Sequence, residues 1–182
     1  AAALGNKGGL NLVVTYEAFA PKMLGAVRQE LIFARNQAQA GRPPGWLGVP
    51  LVLTSHTWEN AKNEQSHQDP TMAEALLGEM ADISRVVFPP DANGAAAALA
   101  HAYAQRGTIT TLVIPKRPVP QELTPEQAQA LTATGAICLT GDPATATLLL
   151  VATGAYQLQE VRRAQARLAE RNVAAAIVYL GE

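Results

Sequence analysis

Short apolar runs alternate with helical stripes along the chain. The run LNLVVT (10–15) reads as a buried strand that ends at Tyr16. From about Ala18 to Gln39, Met23, Leu24, Val27, Leu31 and Ala34 recur at helical spacing, which predicts a helix. Pro21 fits its first turn, and Gly41 with the following RPPG stops it. VPLVLTS (49–55) reads as a second strand, followed by a polar loop and a short helix from about Thr71 to Ala81. ISRVVF (83–88) gives a third strand. Asp91 reads as the cap of an alanine-rich helix to about Arg106, and TITTLVI (108–114) as a fourth strand. The texture then changes at PKRPVPQELTPEQ, where closely spaced prolines mark an extended linker. Thr124 caps a short helix with Pro125 at its first position. AICLT and TLLLVA follow as strands, then an amphipathic helix from about Tyr156 to Arg171 and a last strand, VAAAIVYL (173–180).

Strand–helix alternation of this kind predicts an α/β protein with a mainly parallel sheet covered by helices on both faces, in three layers. One such domain is expected at 1–118. Residues 119–182 are expected to be the linker and the beginning of a second α/β domain that is cut short.

Composition narrows the function. The chain has 182 residues, 48% apolar and 16% charged, with a formal net charge of -1. That is globular, and it lacks the basic excess of a nucleic-acid binder. No apolar run approaches the ~20 residues that span a bilayer. The single cysteine, Cys138, forms no internal disulfide, which fits a reducing, cytoplasmic setting.

Candidate chemistry gathers beyond the carboxyl ends of the strands, where open α/β sheets bind ligands. Tyr16, the loop after strand two and Lys116 are expected on that rim. The loop's His67 can serve as acid or base, since an unperturbed imidazole titrates near ~6.5; its structural alternative is a solvated loop histidine. Ser66-His67-Gln68-Asp69 is not a triad, because adjacent residues do not converge as one. Asp69 before Pro70 reads as a helix cap, with Thr71 and Glu74 as an alternative capping box. His56, Glu59, His67 and Asp69 match no metal-ligand spacing, so no metal site is predicted. Lys116 can meet a phosphate or stand solvated. His101 reads as a helix-surface histidine. The lone glycine of VATGAYQLQE is a weak phosphate-loop signal.

TYEAF, TSHTW with SHQDP, PPDAN and IPKRP occur in that order, and their order and spacing over about residues 10–120 resemble the phosphoketolases, thiamine-diphosphate enzymes related to transketolase. The resemblance implies the pyrimidine-binding domain of the thiamine-diphosphate-binding fold, followed by the start of the C-terminal domain. It implies cleavage of xylulose 5-phosphate or fructose 6-phosphate with inorganic phosphate to acetyl phosphate and an aldose phosphate, with thiamine diphosphate and Mg²⁺ as cofactors. By position, Tyr16 packs on the aminopyrimidine ring and His67 moves protons at the reacting carbons. Asn63 binds the sugar, Asn60 stands where the family has a glutamine near substrate, and Lys116 reaches phosphate or the intermediate. Lys62 and His56 fall in the same substrate pocket. The sequence departs from the pattern at Lys62, where the family has histidine, and at Glu64, where it has glycine. Lysine keeps a charge for phosphate but does not relay protons near neutral pH. The family's activating glutamate and its diphosphate- and Mg²⁺-binding domain fall outside the match, and Glu17 is not that glutamate by position. The chain is therefore expected to be an inactive fragment carrying half a site, with a homo-oligomeric parent. A transketolase-like binding or scaffold subunit without turnover is the alternative.

Overall fold

The computed structural model of the protein describes residues 7–42, 46–54 and 69–182. The chain divides into two compact units. One comprises Ala1–Val87 and Ala98–Pro118, the other Phe88–Ala97 and Val119–Glu182.

The first unit is built on a four-stranded sheet of β1 (Val13–Tyr16), β2 (Val49–Thr54), β3 (Ser84–Val87) and β4 (Ile109–Val113). The order is β1-β2-β4-β3, and every pairing is parallel. The two central strands, VPLVLT and ITTLV, are buried along nearly their whole length because both of their faces are covered. Pro50 has no N–H to give, and it stands one residue before the pairing with β1 begins at Leu51. Strand residues alternate between faces. Val13, Leu51 and Ile109 point to one side, where Val27 of α1 (Leu24–Gln39) lies over them. Val52, Leu112 and Val87 point to the other, where they form a cluster with Ala98 of α3 (Ala92–Ala104). The unit is thus the three-layer arrangement that the alternating pattern predicts.

Three local differences from the sequence reading have physical causes. The helix expected from Ala18 begins as a 3-10 segment, Glu17–Met23, with Pro21 inside it, and becomes α-helical only at Leu24. Proline cannot donate the bond that an α-turn would ask of it, and 3-10 turns are common at helix starts. The helix after the polar loop, α2 (Thr71–Leu77), is shorter than expected and stops at Gly78. Thr71 is its first residue, so the Thr71–Glu74 capping box does not form. Asp69 does the work instead, its Oδ1 accepting from the Thr71 N–H at 3.1 Å.

The second unit has a three-stranded sheet of β5 (Ala136–Thr140), β6 (Leu148–Ala152) and β7 (Ala175–Leu180), ordered β5-β7-β6. β6 and β7 are parallel and joined by the expected crossover helix, α5 (Ala155–Ala169). β5 runs antiparallel to β7. The helix before it, α4 (Pro125–Thr134), starts with a reciprocal capping box between Thr124 and Gln127. It ends at Gly135, whose φ of 76° only glycine adopts without strain. Leu123, Leu131, Leu158, Ile177 and Tyr179 form the core under α4 and α5. The opposite face of this sheet leaves Leu149 and Val151 exposed.

Candidate functional site

The rim beyond the carboxyl ends of the first unit's strands holds two of the residues expected there. Tyr16 is the last residue of β1, and Lys116 follows β4 by three residues. The parallel register fixes both at the same end of the sheet. Their side chains meet: the Lys116 ammonium lies 5.6 Å from the centroid of the Tyr16 ring. At this distance a cation is attracted by the ring quadrupole, by about 0.5–1 kcal/mol where solvent reaches it.

Two further residues complete the cluster, and sequence reasoning gave neither a role. Phe19 stacks beside Tyr16 with ring centroids 6.0 Å apart and 22° between planes. Lys22 places its ammonium 5.5 Å from the Phe19 centroid. The signal was in the spacing: residues three apart in a helical turn share a face, and Tyr16, Phe19 and Lys22 are each three apart. Both rings stay over 40% exposed, at 42% and 43%, so aromatic surface faces solvent beside two ammonium groups. Chemically, such a rim can hold a flat unsaturated ring and an anion near it. Glu17, between the two aromatics in sequence, turns inward and is buried.

His56, Asn60, Lys62, Asn63 and His67 lie outside the described residues, as does Glu64. Among the described residues there is no group of three His, Cys, Asp or Glu that could hold a metal ion. No helix among them is long and apolar enough to cross a membrane.

Other places singled out by sequence are accounted for structurally. The glycine of VATGAY, Gly154, stands at the start of α5 and gives its N–H to the Tyr179 hydroxyl at 2.9 Å, which ties the turn to the core. A cleft of about 220 Å³ between α1 and the sheet is lined by Val13, Val27, Trp46, Leu51 and Ile109, with Glu30 the one charged neighbour. It is an apolar packing gap and does not include the rim residues. Among the described residues, the perturbed carboxyl and the perturbed phenol also lie elsewhere. Burial pushes the Tyr179 phenol well above its ordinary range. The Glu126 carboxyl is held below its ordinary range by a main-chain N–H and the Thr124 hydroxyl at the start of α4.

The parallel α/β sheet that carries this aromatic and lysine rim has a fold shared with solved transketolases. A transketolase from Leishmania mexicana superposes with a TM-score of 0.75 at 22% identity, over 96% of this chain and 23% of that one. A split-gene transketolase, described as an inactive beta4 tetramer, gives 0.65 at 16% identity, over 100% of this chain and 52% of that one. Sequence then fixes the family. Residues 2–105 match the D-xylulose 5-phosphate/D-fructose 6-phosphate phosphoketolase family, and the chain belongs to it. A probable phosphoketolase of Streptomyces avermitilis is 31% identical over 129 residues, which cover 71% of this chain and 16% of the relative. The chain therefore spans about a sixth of that relative's length.

Proposed function

We propose that the chain is the pyrimidine-binding part of a phosphoketolase. Its full-length parent cleaves xylulose 5-phosphate, fructose 6-phosphate or both with inorganic phosphate, giving acetyl phosphate and an aldose phosphate. The observation that carries this reading is the meeting of Tyr16, Phe19 and Lys116 on the carboxyl rim of a sheet in a chain of this family. In the reading, residues 1–118 form the pyrimidine-binding domain and 119–182 the linker and start of the C-terminal domain. The parent is a cytoplasmic homo-oligomer.

The residues present fit the aromatic part of thiamine diphosphate. Tyr16 and Phe19 offer accessible ring surface, and a ring stacked there gains contact area and a preferred geometry. In this reading Mg²⁺ and the diphosphate are held by other parts of the parent. Thiamine diphosphate supplies the nucleophilic carbon that opens the sugar's carbon–carbon bond. This chain's residues orient and protonate around it. Lys116 holds an anionic phosphate near the ring. His67 takes and returns protons during loss of water. Asn60 and Asn63 hydrogen-bond the sugar, and Lys62 and His56 complete the pocket.

The test is turnover in the full-length parent. His67→Ala is expected to lower acetyl phosphate formation by ~10²–10⁴-fold, the usual contribution of a positioned proton-transfer group, with little change in melting temperature. Unchanged turnover would remove the chemical role of His67. Lys62→His, which restores the family's usual residue, is expected to raise the rate. The purified 182-residue chain alone is expected to form no acetyl phosphate above a no-protein control. The inactive state described for the split-gene transketolase subunit supports that expectation. The departures at Lys62 and Glu64 favour one second reading, a non-catalytic binding subunit. In that case the parent has no rate for either substitution to change.

A further inference from the structure

The motif PPDAN has no part in the rim chemistry, yet its aspartate is among the most heavily bonded side chains of the described residues. Asp91 is 5% exposed. Its Oδ1 accepts from the Gly94 N–H at 2.8 Å, which caps α3 as expected. Its Oδ2 faces a segment thirty residues away and accepts three bonds there. The donors are the Glu122 N–H at 2.7 Å, the Leu123 N–H at 2.6 Å and the Gln121 Nε2 at 2.6 Å. Asn93 adds a bond from its Nδ2 to the Leu123 carbonyl at 2.8 Å. The other end of the same strap is fastened too. The Phe88 N–H donates to the Gly181 carbonyl at 2.8 Å, and the Phe88 carbonyl accepts from the Tyr179 hydroxyl.

We propose that Phe88–Asn93 is a latch of the second unit, with Asp91 as its bolt: one buried carboxylate both starts α3 and holds Gln121–Leu123 in place. A carboxylate has lone pairs for about four donors, and here all four come from protein. Buried donors left without an acceptor are costly, so Oδ2 holds the segment 121–123 closed. The latch explains why Phe88–Ala97 belongs with Val119–Glu182 although β3 and β4 on either side of it belong to the first unit. It also sets the entry to α4, because Leu123 is a core residue and Thr124 is the cap that follows it. Glu122 is gripped a second time, by the Arg162 guanidinium at 3.1 Å. The role of PPDAN is then conformational: it fixes where the second unit begins.

The experiment separates latching from simple helix capping in the 182-residue chain. Asp91→Ser keeps an oxygen for the Gly94 N–H, since serine is a good cap, but its single hydroxyl cannot also reach residues 121–123. Amide exchange at Glu122 and Leu123 is expected to accelerate at least tenfold in Asp91→Ser, while amides within α3 keep their protection. Cleavage after Glu122 by a glutamate-specific protease, followed by mass, is expected to rise by a similar factor. Gln121→Ala, which leaves α3 untouched, is expected to move both readouts the same way by a smaller factor, and it still tests the latch if the aspartate variant fails to fold. Wild-type exchange and cleavage at Glu122 in Asp91→Ser or in Gln121→Ala would overturn the proposal and leave Asp91 as a helix cap only.

Discussion

Tyr179→Phe offers a clean test of how the second unit is held. The ring is fully buried, at 0% exposure, in the core with Leu131, Leu158 and Ile177. Its hydroxyl joins two main-chain groups, accepting from the Gly154 N–H at 2.9 Å and donating to the Phe88 carbonyl. Phenylalanine keeps the ring and its packing, so no side-chain cavity beyond one oxygen appears. What changes is that a buried N–H and a buried C=O both lose this partner. Each such orphan costs about 1–3 kcal/mol, and the phenylalanine recovers part of this because its own hydroxyl no longer needs desolvating. The expected loss is about 2–4 kcal/mol. Both tryptophans, Trp46 and Trp58, precede the second unit, so their fluorescence would report on the wrong half. Amide exchange along β6 and β7 reports directly on opening of this unit. A loss of 2–4 kcal/mol corresponds to exchange roughly thirty- to eight-hundred-fold faster for the amides that need the unit to open. A change below about 0.5 kcal/mol would refute the reasoning, because it would mean that water or rearrangement satisfies both main-chain groups.

Burial also gives Tyr179 an alkaline signature. Its phenol is raised well above the ordinary value of 10.0, chiefly by desolvation, so folded and unfolded chains bind the same proton below that pH. Above it the unfolded chain loses the proton first, and stability falls with a slope that grows toward about 1.4 kcal/mol per pH unit; denaturation series from pH 9 to 11 should show a total loss of about 1.4 kcal/mol from this group, and Tyr179→Phe should lack it. Gly48→Ala should destabilise the first unit by about 3 kcal/mol or more, measured by tryptophan fluorescence in urea, because the added Cβ would stand 2.0 Å from the Ala102 carbonyl oxygen, which is backbone and cannot step aside. Thr124→Ala should cost about 1 kcal/mol in amide protection of α4 by removing the hydroxyl that accepts from the Gln127 N–H. In the full-length parent, Lys116→Gln should raise KM for inorganic phosphate about tenfold with a smaller change in kcat, in line with losing one charge-assisted contact; an unchanged KM would detach Lys116 from phosphate.

Most of the fold was legible in order along the chain. The runs that became β2 and β4, VPLVLT and ITTLV, carry no charged residue because both faces of a central strand are covered, and no solvent-facing alternation interrupts them. Caps were legible at Asp91 and Thr124, since a cap is a local bond to a main-chain group a few residues ahead. The convergence of Tyr16 and Lys116 followed from chain topology alone, because parallel strands put their carboxyl ends on one rim.

What the sequence did not determine are the choices made by partners far along the chain. Nothing within AICLT tells whether it runs with or against its neighbour; β5 takes its antiparallel direction only in pairing with β7, far along the chain. Asp91 reads from sequence as a helix cap and nothing more. Its second oxygen found its three donors only when folding brought Gln121–Leu123 beside it. Local hydrogen bonds and apolar periodicity are properties of neighbours in the chain, so the sequence alone specifies them. Strand direction and the latch depend on closing loops across tens of residues, and only the packed tertiary structure decides which of those closures is made.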